Sequence, residues 1–154
     1  MIIAVDPGIG GAIACLERTV LHTVIDMPTM TNGKKQMVNA AELAKFLEGY
    51  RRKYDGNLTV YLEDVHSMPG QGVSSCFNFG VSFGIIQGIV GALQIPMVLV
   101  TPQSWKKRAG LIGKEKDCCR TLMQQLYPDA PLGRKKDCGR ADAIAIAHFG
   151  PKDS

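Results

Sequence analysis

The feature that most constrains this chain is its first eleven residues, Met1-Ile2-Ile3-Ala4-Val5-Asp6-Pro7-Gly8-Ile9-Gly10-Gly11. Met1 to Val5 is a short apolar run with β-branched residues, which predicts a buried strand. Asp6 stands where that run stops. A carboxylate in such a place is costly to desolvate, so it must meet water, a cation or hydrogen-bond donors. Pro7 prevents the strand from continuing, and the glycines that follow allow a tight reversal. Ile13-Ala14-Cys15-Leu16 then resumes an apolar run. The expectation is a strand, an acid at its end, a turn and a return strand. A plain hairpin with an aspartate turn cap would share this pattern; what adds weight is that later acids recur in similar settings.

At 154 residues the chain is long enough for one domain with a real core. We expect a single domain over 1–150 and a short tail, 151–154. The formal net charge of +4 is compatible with a polyanionic partner without requiring one. Five cysteines, with Cys118 and Cys119 adjacent and no Cys-x-x-Cys spacing, point to reduced thiols in a cytoplasmic setting and to no structural zinc. No secretory leader is expected, because an acid and glycines follow the first five residues. The stretch from Phe77 to Pro96 is interrupted by Asn78, four glycines and two glutamines, so a packed helix is expected rather than a membrane span.

Further along, a third strand is expected within Arg18 to Pro28, around Val20, Leu21, Val24, Ile25 and Met27 and after a turn near Glu17-Arg18, and then a turn or loop over Thr31 to Lys35. Asn39 with Glu42 three residues on is a capping-box pattern for a helix from about Ala40 to Tyr54, with Leu43, Phe46, Leu47 and Tyr50 on one face. Leu58 to Leu62 is the next strand, with Glu63-Asp64 at its end. A long helix follows from Ser74 or Ser75 to Leu93, then a strand over Met97–Val100. A short helix opened by Thr101-Pro102 runs through Lys106, and two more run from Lys114 to Leu126 and from Arg140 to Phe149. This order fits an α/β domain with a hairpin-rich sheet flanked by helices. It does not fit a dinucleotide-binding unit, because no helix follows Gly8-x-Gly10 directly.

Asp6 and Glu63 each follow an apolar strand, and open sheets bind ligands beyond their strand ends. Strand periodicity sends Glu63 and Asp64 to opposite faces and does not choose between them. Asp142 is expected in the first turn of a helix that is otherwise small and apolar, with Asp137 five residues earlier. A first-turn acid can simply meet the helix dipole. Three or four converging carboxylates, however, repel one another unless a cation neutralises them. Oxygen ligands alone favour Mg²⁺ or Mn²⁺ over zinc. Two such ions about 4 Å apart can activate water and stabilise the leaving oxygen at a phosphodiester. Lys106-Lys107-Arg108 with Lys114 and Lys116, and Arg134-Lys135-Lys136 with Arg140, flank helix N-termini, where phosphates are readily bound. Either could be a solvated charged face. The second group surrounds Asp137 and Asp142, a combination that suits nucleic acid better than a small phosphate ester. Trp105, Phe77, Phe79 and Phe83 read as packing residues. His66 and His148 have no cysteine or other histidine near them in sequence and read as ordinary residues, though His66 follows the acid pair closely enough to touch a substrate.

The stretches Ile3-Ala4-Val5-Asp6-Pro7-Gly8, Leu62-Glu63-Asp64-Val65, Met68-Pro69-Gly70-Gln71-Gly72, Val100-Thr101-Pro102-Gln103-Ser104-Trp105-Lys106 and Gly139-Arg140-Ala141-Asp142-Ala143 resemble, in order and spacing, the RuvC family of Holliday junction resolvases, especially its compact phage and prophage forms. The resemblance spans nearly the whole chain. It implies an RNase H-like fold with a five-stranded mixed sheet, a homodimer, and Mg²⁺- or Mn²⁺-dependent cutting of four-way DNA junctions, with two ions per active site. It implies that Asp6, Glu63 and Asp142 are metal ligands and catalytic residues. Bacterial relatives commonly carry an acid or histidine three residues before the last acid, where this chain has Gly139. Phage-like relatives carry an acid and a histidine just upstream, where this chain has Asp137 and Cys138, so Asp137 is assigned as the fourth ligand. Lys116 and Lys106 resemble lysines placed near the scissile phosphate, with Lys107, Arg108, Lys114, Lys135, Lys136 and Arg140 as further DNA contacts.

The dimer is expected through the helix over 75–93, where Phe79, Phe83, Ile86 and Val90 share one side and Gly80, Gly84, Gly88 and Gly91 lie on an adjacent face. The alternative is that the last two helices cover both faces within one copy. Other functions to weigh are an RNase H-like nuclease of hybrids or other branched DNA, and a non-catalytic junction-binding protein of the same fold. A sugar-kinase or actin-like ATPase is disfavoured, because 154 residues leave no second half to close over a nucleotide. No nucleotide cofactor and no membrane partner are expected.

Overall fold

The computed structural model describes residues 1–151; of the expected tail, 152–154 lie outside the described residues. In chain order the elements are β1 (Ile2–Asp6), β2 (Ala12–Glu17), β3 (Val20–Asp26), β4 (Thr29–Asn32), β5 (Lys35–Val38), α1 (Ala40–Tyr54), β6 (Thr59–Glu63), α2 (Val73–Ala92), β7 (Met97–Val100), α3 (Pro102–Ala109), α4 (Lys116–Leu126), a 3₁₀ turn (Lys135–Asp137) and α5 (Cys138–Phe149). The central sheet has five strands in the order β3-β2-β1-β6-β7. β1 runs antiparallel to β2 and parallel to β6, and β7 continues the parallel part, so the sheet is mixed as expected.

Strand alternation sorts the core into two layers. Ala4, Ala12, Ala14, Leu16, Tyr61 and Val100 face Trp105, Met123 and the apolar side of α5. Ile3, Val5, Ile13, Cys15, Val60 and Leu62 face Leu43 and Leu47 of α1 and Ile86 and Val90 of α2. The small residues on the first face let α5 lie close to the sheet. Contact is close at the turn after Asp6: a Cβ added to Gly139 would stand 2.6 Å from the Gly10 carbonyl oxygen, and within the turn itself one added to Gly11 would stand 1.9 Å from the carbonyl oxygen of Asp6. The start of α5 is therefore seated on the turn that carries Asp6. The same contact explains why position 139 has no acid or histidine, since a side chain there meets backbone.

Several boundaries differ from the sequence-based expectations. The turn or loop expected over Thr31 to Lys35 is the tip of a hairpin, β4–β5, whose strands were not expected; it is closed by Gly33 at φ 64°. Its residues are largely polar and exposed, so no apolar alternation marks it. α3 continues to Ala109 and ends on Gly110 in the left-handed region, φ 71°. α4 begins at Lys116 rather than Lys114. α5 begins at Cys138 rather than Arg140, which moves Asp142 out of the first turn.

α2 packs on α1 and β5, and only Ser82, Ile86 and Val90 along it are buried. α4 and α5 lie on the other side of the sheet, so they do not cover its free face. Val73 is 87% exposed and Phe77 66%, so Phe77 does not pack inside this copy. Open space surrounds Gly80, Gly84, Gly88 and Gly91. By length and composition alone α2 is long and apolar enough to cross a membrane.

Candidate active site

The parallel register Val5↔Leu62 sets Asp6 beside Glu63, at the same ends of neighbouring strands. Both belong to the face that carries Ala4 and Tyr61, under α5. Asp142 comes from α5 above them. The three carboxyl groups feel one another. Asp6 is raised well above the usual carboxylate range, first by burial and then by the charges of Glu63 and Asp142, with Lys116 opposing. Burial also raises Glu63, opposed by a hydrogen bond from Trp105, while Asp142 adds to the rise. Asp142 is raised by burial and opposed by a hydrogen bond from Cys119 and by the charges of Lys106 and Lys116. Three carboxyl groups are thus gathered in surroundings that disfavour their charged forms.

The sheet sends Glu63 and Asp64 to different faces, with only Glu63 beside Asp6 and Asp142. The Asp64 N–H donates to the Val100 carbonyl, 2.9 Å, and its side chain lies on the α2 side. There it lines a cavity of about 340 Å³ with His66, Gln71, Cys76, Phe79 and Phe83, its carboxylate 3.6 Å from the His66 ring.

Asp137 is placed differently from the other three acids. Its buried carboxylate takes a two-point grip from Arg134, with Nη2 2.7 Å from Oδ1, and also accepts the Arg134 backbone N–H, 2.8 Å. Arg140 stands 3.9 Å away. The Arg134 hydrogen bonds hold Asp137 down at about 2. Arg140, expected as a DNA contact, is itself committed: it donates to both oxygens of Asp26, 2.7 and 2.9 Å, and to the Pro131 carbonyl. Arg108 donates to the Phe149 carbonyl. Lys107, Lys135 and Lys136 are exposed. Lys106, Lys114 and Lys116 line a small cleft of about 80 Å³ with Trp105, Cys119 and Asp142. A larger cavity of about 520 Å³, between β3 and residues 126–131, lies away from these acids.

Trp105 contributes more than packing. It is fully buried and its Nε1–H donates to Glu63 Oε1 at 2.9 Å. The sequence signals were its place in the Val100 to Lys106 motif and one turn into a helix that opens directly after an apolar strand.

No family model matches this chain, and no curated protein does. Solved structures do match. RuvC from Thermus thermophilus in complex with Holliday junction substrate aligns with a TM-score of 0.63 over 96% of this chain and 90% of that one, at 14% identity. A second Thermus thermophilus RuvC structure aligns at 0.59 over 96% and 91%, at 15% identity. The fold is that of RuvC. The mixed five-stranded sheet with its helices is therefore RNase H-like, as the motifs implied. Within this RuvC fold an all-oxygen donor set, Asp6, Glu63 and Asp142, fits a hard divalent cation, and the raised carboxyls give such a cation something to relieve. Among the described residues, no group of three or more His, Cys, Asp or Glu side chains is placed so that it could hold a metal ion as it stands.

Proposed function

We propose that this chain is a divalent-metal-dependent endonuclease that cuts four-way DNA junctions by paired nicks as a two-fold dimer in the cytoplasm. The observation that carries the proposal is the gathering of Asp6, Glu63 and Asp142, from three separate elements, on one face beside the Lys106, Lys114 and Lys116 cleft. The RuvC fold, known from a complex with a Holliday junction substrate, adds support for branched DNA as the partner.

Asp6, Glu63 and Asp142 would hold Mg²⁺ or Mn²⁺, with two ions per site. When bound, such ions supply an activated water and stabilise the leaving oxygen of a phosphodiester. The protein's own part is to position. β1 and β6 present two acids at a common edge, and α5 delivers the third. Lys116, exposed at the first turn of α4, and Lys106 of α3 neutralise the scissile strand's phosphates close to the acids. Lys107, Lys114, Lys135 and Lys136 extend that basic surface. Asp137, assigned by resemblance as a fourth ligand, would have to leave Arg134 to reach a cation, so it stands outside the proposed ligand set. α2 offers the dimer surface: its exposed glycines and Phe77 leave an apolar face uncovered in one copy.

A cleavage assay on a synthetic four-way junction tests this directly. Paired symmetric nicks with Mg²⁺ or Mn²⁺, abolished by EDTA, are expected. Cutting of RNA–DNA hybrid in preference to junctions would favour the hybrid-nuclease alternative, and tight junction binding without any cutting the non-catalytic one.

A further inference from the structure

Trp105 is the chain's only tryptophan. Its indole N–H can only donate, and burying it without an acceptor carries a free-energy penalty. Phe or Leu would fill an apolar space with no such demand. Here the N–H meets one oxygen of Glu63, itself only 7% exposed. The bond is delivered by the strand-to-helix junction. Glu63 pairs with Val100 in the parallel ladder, and the chain leaves β7 at that point. Thr101 caps α3 by accepting the Ser104 N–H, 3.2 Å, and Pro102 sets the first turn. Trp105 follows one turn on and returns over Glu63. The neutrality of this donor matters. A lysine or arginine in its place would cancel the Glu63 charge and compete with a cation, whereas an indole N–H orients the carboxylate and adds no net charge.

Resting on the function proposed above, through Glu63 as a ligand, we infer that Trp105 is a positioning residue, whose N–H holds Glu63 in the orientation that cation binding and cutting require. Two replacements test it. Trp105→Phe removes the N–H and part of the ring. Benzothienylalanine, incorporated at this single tryptophan, keeps the bicyclic shape and puts sulfur where the N–H was. Thermal melts establish folding, calorimetry measures Mn²⁺ binding to the DNA-free protein, and cutting of a four-way junction is followed against Mn²⁺ concentration. In the benzothienylalanine protein we expect Mn²⁺ affinity to fall by about 10- to 100-fold, with the activation curve displaced in step and metal-free junction binding unchanged. Wild-type Mn²⁺ affinity in that protein overturns the inference, even if Trp105→Phe binds poorly, because the loss would then be one of packing. If the wild-type protein binds Mn²⁺ and cuts junctions while the isostere behaves identically, only the role of Trp105 falls. If the wild-type protein neither binds Mn²⁺ nor cuts, the proposed function falls and takes this role with it.

Discussion

Asp6 is a charge in a place that disfavours charge. Its folded-state value is raised above the ordinary 3.8, so the folded protein holds this proton more tightly than the unfolded chain does. Its contribution to stability is therefore best below about pH 4 and declines as pH rises through the raised value. At neutral pH the metal-free protein carries a penalty, about 1.4 kcal/mol for each tenfold change in proton affinity. Asp6→Asn is accordingly expected to raise the urea midpoint of the EDTA-treated protein at pH 7 while lowering cutting by about 100-fold or more. Glu63→Gln and Asp142→Asn should also stop cutting and leave junction binding mostly intact. Full activity in all three would remove the site. Asp137 has the opposite sign. Held near 2 by Arg134, it stabilises the fold above the ordinary 3.8, and that contribution is lost as pH falls from about 4 to 2. Asp137→Asn should lower the urea midpoint at neutral pH, flatten its fall over that acid window, and leave the Mn²⁺ activation curve in place. A displaced activation curve with unchanged stability would instead make Asp137 a ligand.

α2 is buried along only one narrow line in a single copy. Glycine at four positions weakens the isolated helix, yet nothing in the monomer fills the space beside them. Its buried positions, Ser82, Ile86 and Val90, form one narrow line against α1 and the sheet, and the opposite side is bare. A helix of this kind gains by meeting a second copy of itself. Gly84→Glu places a carboxylate in that open face without disturbing the buried line. Sedimentation equilibrium should show the wild type as a dimer at micromolar concentration and the variant as a folded monomer that nicks one strand only. A wild-type monomer that still makes paired nicks would sink the dimer.

The assembled molecule sorts its basic residues into two kinds. Arg134 and Arg140 are spent on the carboxylates of Asp137 and Asp26, whereas Lys106, Lys114 and Lys116 line the cleft that holds Asp142. Phosphate binding should therefore follow the lysines. Lys116→Ala is expected to slow cutting and to reduce the slope of log affinity against log salt for junction DNA by about one. An unchanged slope and rate would take Lys116 off the DNA path. Arg140→Ala, by contrast, should act through loss of the Asp26 tie between α5 and β3, lowering stability more than the salt slope.

What was legible in the chain beforehand was whatever leaves a local mark. An acid that ends an apolar run is visible at Asp6 and again at Glu63-Asp64, because hydrophobic alternation and a buried charge are both short-range patterns. The Asn39 cap of α1, whose side chain accepts the Glu42 N–H, is equally local. The order of strands and helices was enough for an α/β domain with a hairpin-rich sheet, and the short motifs carried the resemblance that implied a five-stranded mixed, RNase H-like sheet. What the sequence left open depended on partners far along the chain. Glu63 and Asp64 are not told apart until the fold sets Asp6 and Asp142 of α5 on the Glu63 side of β6. Asp142 leaves the first turn only because Gly139 lets α5 start early against Gly10. Arg140 is drawn to Asp26 across 114 residues, and Trp105 to Glu63 across 42. Such choices are made by Coulomb attraction and by the need of buried donors for acceptors, forces that act through space between groups whose nearness no stretch of sequence encodes.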